Sequence, residues 1–289
     1  MIFLVLSLFL GNSVEAAPCC AGSTALPSLI TGDEKTMINA SVAYGDVIGD
    51  APAAGKGIPV FRDAFSKREI RKTMNLGVAT LISDRWQIGA SIPVVQNDIS
   101  TASTQEINTQ LGDVSATIGY EALPEWEYSL WTPRIYTFAQ WVAPTGRSMG
   151  DSQTRFATDV SGVGYHQLHL GAVVIKRWSD WDANVVLKTG RDLNFGANLL
   201  NSSLGAGYSF AERWRLGASL ETQYTSTQQM GISEVAAKLV WNTGATVTCL
   251  VGADSSLILG YMDQTLMGPA YNTTLARTAN FSFQHRFER

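Results

Sequence analysis

Apolar and polar residues alternate along much of this chain, and short charged turns interrupt the alternation at Ser83-Asp84-Arg85-Trp86, Trp178-Ser179-Asp180-Trp181, Ala211-Glu212-Arg213-Trp214 and Gly252-Ala253-Asp254-Ser255. After three of these turns the returning segment opens on Trp and keeps a period of two. The series are Trp86, Ile88, Ala90, Ile92 and Val94; Trp181, Ala183, Val185 and Leu187; and Trp214, Leu216, Ala218, Leu220, Thr222 and Tyr224. Successive side chains on a strand point to opposite faces, so each segment has one oily face and one polar face carrying Gln87, Ser91, Asp182, Asn184, Lys188, Arg215, Ser219, Glu221 or Gln223. A soluble sandwich and a membrane barrel both alternate in this way, so the period alone does not choose between them. The tryptophans do. Six of the eight, Trp86, Trp126, Trp131, Trp178, Trp181 and Trp214, sit in or beside connections of one kind. Amphipathic rings collect in this way at one rim of a barrel, as a girdle at the lipid headgroups.

Reading outward from the turns predicts an all-β fold, a transmembrane antiparallel up-and-down barrel of twelve strands near 35–47, 68–82, 86–97, 111–122, 134–144, 162–176, 181–190, 199–210, 213–225, 233–251, 256–266 and 274–287. The connections alternate between tight turns near 84, 179, 212 and 254, with the Trp-rich link 123–133, and looser polar links near 49–66, 98–110, 145–161, 191–198, 226–232 and 267–273. Short periplasmic turns and longer outer loops are the usual asymmetry of bacterial barrels, which places both chain ends in the periplasm. Within the tenth strand Asn242-Thr243-Gly244 reads as a bulge, since a turn there would make the strand number odd. The last strand sets Leu275, Phe281, Phe283 and Phe287 on the lipid face and Thr278, Asn280, Ser282, Gln284 and Arg286 on the lumen face.

The start of the chain agrees with an exported barrel. Residues 2–10 are an apolar core too short to span a membrane, followed by small residues up to Ala16, so 1–16 reads as a signal peptide, 17–34 as a periplasmic segment or plug, and 35–289 as the barrel. No later stretch holds eighteen uninterrupted apolar residues, so no helix is expected to span a membrane. Cys19 and Cys20 follow the cleavage position directly; a vicinal disulfide, a bond to another protein and a reduced pair all stay open, while Pro18 argues against acylation. Cys249 reads as a small apolar residue on the lipid face. Formal net charge is −4 and the densest basic run, Lys67-Arg68-Glu69-Ile70-Arg71-Lys72, suits a strand end at headgroups, so no nucleic acid is expected among the partners.

Parity assigns to the lumen Asn39, Ser41, Arg71, Thr73, Asn75, Asp113, Ser115, Thr117, Glu121, Asp182, Asn184, Lys188, Arg215, Glu221, Gln223, Glu234, Lys238, Gln264, Asn280, Gln284 and Arg286. Of these, Asp113, Glu121, Lys188, Arg215, Glu221, Glu234 and Lys238 are the candidate pore-lining charges. Mixed signs in a twelve-strand bore permit either a paired interior network or a wet, narrow pore, and segment 17–34 either enters the lumen or hangs beneath it. Hydrolases also use such barrels, with a lipid-facing Ser near a His. His166 and His169 have opposite parity and cannot share a metal on a regular strand, His285 falls on the lipid side, and no motif spacing joins Ser161 or Ser202 to a His. No catalytic residue, metal or cofactor is therefore assigned.

At Leu111-Gly112-Asp113-Val114, then an alternating strand, a Pro-containing turn, and a strand closing on Ala143-Pro144-Thr145-Gly146-Arg147, the chain resembles the phenol-degradation (meta-pathway) family of outer-membrane proteins. The resemblance covers roughly 75–147 and implies an exported barrel that lets small hydrophobic or aromatic compounds cross. It supplies no catalytic residues; Gly112 and Gly146 match turn positions and Asp113 a lumen or rim position. The expectation is a passive channel for small molecules in a Gram-negative outer membrane, with outer-membrane lipid, the barrel assembly machinery and a small-molecule permeant as partners. Two alternatives stand beside it: a closed structural or adhesive barrel whose outer loops bind a partner, and an outer-membrane hydrolase.

Overall fold

A computed structural model of the chain describes residues 27–62, 67–211, 213–230 and 233–288, with the backbone alone at 228–230 and 233–234. The strands are β1 (Thr36–Ala51), β2 (Val60–Phe61), β3 (Lys67–Leu81), β4 (Trp86–Thr101), β5 (Gln105–Leu111), β6 (Val114–Leu123), β7 (Arg134–Ala143), β8 (Gln167–Arg177), β9 (Trp181–Asp192), β10 (Asn198–Phe210), β11 (Trp214–Thr225), β12 (Gln228–Met230), β13 (Ser233–Val235), β14 (Lys238–Leu250), β15 (Ser255–Asp263) and β16 (Thr273–Phe287). Each wall strand pairs antiparallel with its neighbours in sequence, and β1 pairs with β16 from Thr36↔Phe287 to Ala51↔Thr273, so the sheet closes on itself. The result is a twelve-strand up-and-down barrel, β2 and β5 being additions to its sheet and β12–β13 a separate hairpin. Closure leaves no strand edge unpaired around most of the wall, as a membrane-spanning sheet requires.

The two faces follow the predicted parity. Outward lie Val42, Met74, Leu76, Ile88, Leu170, Leu187, Leu204, Leu216, Leu259 and Phe281, all exposed although apolar. A continuous band of this kind has no place in water and makes the molecule an outer-membrane barrel. The six predicted girdle tryptophans are all exposed at the short-turn end, Trp131 most of all at 88%. Trp141 is exposed on the outside as well, but towards the long-loop end, where it stacks on His166 at 5.6 Å between centroids.

Four boundaries differ from the sequence reading. The link 98–110 is largely strand: β4 runs on to Thr101 and pairs with β5 through Val94↔Leu111 to Ser100↔Gln105. The predicted fourth strand, 111–122, is β6 preceded by a break at Gly112-Asp113, with Leu111 the last residue of β5; polar residues such as Gln96 and Thr109, bonded at 2.9 Å, interrupt the oily series and hid the β4–β5 pairing. The sixth strand begins at Gln167, not 162, because 162–166 belongs to the preceding loop. The tenth is β14 alone, while 233–235 turns away to pair with 228–230. Its register runs through Asn242-Thr243-Gly244 without a shift, so the predicted bulge is absent. Gly244 is there for close approach, since a Cβ would stand 2.5 Å from Ser219 Oγ on the neighbouring strand. The register does shift in β1 between Val47 and Gly49 and in the β6–β7 pairing between Glu121 and Leu123.

Candidate functional site

The interior is the site, and two peptide segments occupy its ends. At the short-turn end residues 27–34 lie inside the wall. Leu29 packs in a buried cluster with Tyr136, Phe138, Val173, Ile175 and Val186, and Ile30 packs against Met37, Ala79 and Leu81. Gln87, fully buried, holds the segment by both ends of its amide: it accepts from Ile30 N at 2.5 Å and donates to Ile30 O at 3.0 Å. The wall is recessed to receive it. A Cβ on Gly89 would meet Ser28 O at 2.1 Å, on Gly77 Ser28 Oγ at 2.8 Å, and on Gly119 Leu29 Cδ2 at 2.5 Å. These glycines sit on β3, β4 and β6, three adjacent strands, and make a groove that any side chain would fill. Asp33 then pairs with Arg134 at 3.0 Å, which also reaches Glu121 at 2.9 Å.

At the long-loop end the connection 144–166 folds inward. Asn97, on the inward face of β4, donates to Thr158 O at 2.9 Å and Val160 O at 2.6 Å, and Asn108 of β5 donates to Thr158 Oγ1 at 2.7 Å. Two carboxylates organise this loop. Asp159 accepts from Gln153 N, Ser152 Oγ, Arg147 Nη1 and Thr154 Oγ1, and those donors, led by the Gln153 N–H, hold its carboxyl well below the usual range. Asp113, in the break between β5 and β6, accepts from Gly146 N at 2.9 Å and Val163 N at 2.7 Å, tying both ends of the loop to one group. Thr145 completes the junction by donating to Gly112 O at 2.6 Å and accepting from Val114 N at 2.9 Å. The Gly112-Asp113 and Pro144-Thr145-Gly146-Arg147 motifs, read in the sequence as separate turns, are one structural unit. Here the wall is also incomplete: β6 pairs with β7 only from Val114↔Ala143 onward, and β5 pairs with β4 alone.

The seven candidate pore-lining charges do not form one set. Arg215 donates to Asp182 through Nε at 2.6 Å and Nη2 at 2.5 Å, lying over Gly207, while Glu121 bonds Arg134. Lys188 and Glu221, only 7% and 2% exposed, lie within electrostatic reach of each other. Asp113 is the loop anchor. Lys238 faces the lumen and is open to water. The backbone of Glu234 lies in the β12–β13 hairpin and its side chain is outside the described residues, as are the signal peptide, Cys19 and Cys20. On the outer face at the short-turn end Lys176, opposite Ala183 in the β8–β9 ladder, donates to Glu125 at 2.5 Å and Thr132 O at 3.0 Å. Burial would raise the Glu125 carboxyl, but the Lys176 ammonium and the Ser129 N–H outweigh it and hold it below the usual range.

Neither serine considered for hydrolysis meets a histidine. Ser161 donates to Leu111 O and Ser202 pairs with Thr222. His166 and His169 fall on opposite faces, the first stacked outside on Trp141 and the second buried beside Gln167. The Ser–His pair that does form is Ser255 with His285 at 2.8 Å, on the outer surface between Phe283 and Phe287. Among the described residues no three His, Cys, Asp or Glu side chains converge on a metal site.

No family model matches the chain, and no curated protein matches it either. Among solved structures it is similar to the COG4313 outer membrane channel from Pseudomonas putida F1, at 15% identity and a TM-score of 0.70 over 90% of this chain and 98% of that one. Weaker likenesses include the translocator domain of the autotransporter NalP from Neisseria meningitidis (12% identity, TM-score 0.47, 89% and 90% covered). The Ralstonia pickettii toluene transporter TbuX stands at 10% identity and a TM-score of 0.46, with the same shares covered. The first likeness establishes the fold: a twelve-strand outer-membrane barrel.

Proposed function

We propose that this barrel is a passive channel for small, apolar or aromatic molecules, of the kind implied by the resemblance to the phenol-degradation family, and that it carries no catalytic activity. One observation carries the reading. A twelve-strand bore is wider than its own wall side chains fill, and here peptide segments close it, 27–34 at one end and 144–166 at the other, the second hung on Asp113 and Asp159. A wall meant only as scaffold needs neither a recessed groove nor a loop clamped at its two ends. Because β5 pairs on one side only, the wall beside it is open at the outer end, where a permeant would enter. The similar barrel from Pseudomonas putida is an outer membrane channel, which agrees with this reading.

The test is conductance in planar bilayers together with uptake of a radiolabelled monoaromatic compound by porin-deficient cells expressing the barrel. The wild type should show small unitary events and faster uptake. Gly119→Val, which obstructs the seat of Leu29, should enlarge the events. Silence of both proteins in the bilayer, with uptake no faster than in cells lacking the barrel, would sink the channel and leave a closed structural barrel.

A further inference from the structure

The lumen treats its cations unequally. Arg134 and Arg215 each have a carboxylate within 3.0 Å. Arg71 and Lys238 have none among the described residues, and each is open to water although protein surrounds it on most sides. A side chain that is enclosed yet reachable by water lines an internal, wet space. Both are inward by parity: Arg71 alternates with Thr73 and Asn75, Lys238 with the buried Val240 and Asn242. Only β1, β16 and β15 separate β3 from β14 in the closed wall, and the two inward side chains lie within electrostatic reach of each other, so both enter the same stretch of lumen. The carboxylate closest to Arg71 in sequence, Glu69, is already held by Arg62 at 2.8 Å and Lys67 at 3.3 Å. Asn97, opposite Arg71 in the β3–β4 ladder, spends its amide on the carbonyls of Thr158 and Val160.

Two like charges in a confined bore repel each other, and an anion between them removes that cost. The guanidinium offers a planar fork that matches a carboxylate, and the ammonium adds a point charge. Two of the flanking inward positions are apolar: Val95, two residues from Asn97, and Val240, two residues from Lys238, are both 3% exposed. We propose that Arg71 and Lys238 form a carboxylate-binding station in the outer half of the lumen, so that the permeants include small apolar acids, aromatic monocarboxylates in particular. This rests on the channel reading for its meaning in transport, but not for the binding itself.

The experiment uses benzoate with benzyl alcohol as the uncharged counterpart. In equilibrium dialysis against the detergent-solubilised full chain, the wild type should bind benzoate, and R71Q/K238Q should bind it at least tenfold more weakly. Benzyl alcohol should bind both proteins alike. R71K, which keeps the charge and loses the fork, should fall between, and it serves if the double variant fails to show the heat-modified gel mobility of a folded barrel. In bilayers, benzoate should reduce the chloride current of the wild type and not of R71Q/K238Q. Absence of benzoate binding by the wild type, or equal binding by wild type and variants, overturns the station. Arg71-dependent binding in a protein that never conducts supports the station and overturns the channel, and conductance indifferent to benzoate and to both substitutions does the reverse.

Discussion

The two ends of the lumen are built on different terms. At the short-turn end Arg134 and Arg215 meet carboxylates, a peptide segment is packed into a glycine groove with Leu29 and Ile30 fully enclosed, and Gln87 satisfies both backbone groups of Ile30. Arg286 is the exception there, with Nε and Nη2 unbonded. At the long-loop end the closing segment rests on polar contacts, Asp113 and Asp159 above all, and Arg71 and Lys238 stand open to water with no ion pair among the described residues. Apolar burial and paired charges resist opening, because release exposes both oil and ions. Hydrogen bonds at a wet rim cost little to exchange for water. The difference assigns permanence to the inner end and access to the outer one.

The largest expected effect comes from breaking the inner end. Asp182→Ala leaves Arg215 buried beside an empty position and should destabilise the barrel by about 3–5 kcal/mol, read as lost heat resistance on gels or failed assembly. Heat resistance equal to the wild type would show that the pair is not buried in the membrane-inserted protein. Gly89→Val comes next: its Cβ would fall on Ser28 O, so the segment must leave its groove, at about 1–3 kcal/mol by the usual cost of overpacking, with conductance rising in step. Unchanged conductance would mean that 27–34 does not limit passage.

The outer end should respond in conductance more than in stability. Asp113→Asn weakens two charge-assisted bonds to Gly146 N and Val163 N, a change of about 1–2 kcal/mol that frees the loop, and open-channel events should become larger and noisier while heat resistance stays near that of the wild type. Loss of folding instead would make Asp113 a structural keystone. The smallest effect is with acid. Because the folded loop favours the Asp159 carboxylate, its contribution is complete above the ordinary value of 3.8 and disappears only as pH falls through the depressed folded value. Loop fluctuations in the current should therefore be steady from pH 7 down to 4 and increase only in stronger acid. An increase near pH 6 would point to another group.

Much of the wall was legible without coordinates. Period-two runs such as Trp214 to Tyr224 told inside from outside, since a strand between lipid and lumen must sort its side chains residue by residue. Strands 105–111 and 98–101 were missed because polar residues break the outward face there, Gln96, Asp98, Gln105 and Thr109 standing among Ile107 and Leu111, above the level where lipid demands oil. Asn242-Thr243-Gly244 misled because Asn followed closely by Gly signals a turn or bulge locally, while this Gly answers to Ser219 on the next strand. The glycines under the N-terminal segment carried no local signal at all, being single residues on three different strands.

The sequence by itself determined an antiparallel barrel, its strand number, its lipid face and the end at which most of its tryptophans gather, because each follows from the solvent met by a few adjacent residues. The tertiary structure alone decided which charges are paired, that 27–34 and 144–166 enter the bore, and that Gly112-Asp113 and Thr145-Gly146 meet. Many of those contacts join positions distant in sequence, such as Gly112 with Thr145, 33 residues apart, Ile30 with Gln87, 57 apart, and Asn97 with Val160, 63 apart. Only the closure of β1 on β16 brings such partners to a common lumen, where the curvature of the wall and the room left by missing side chains decide what fits.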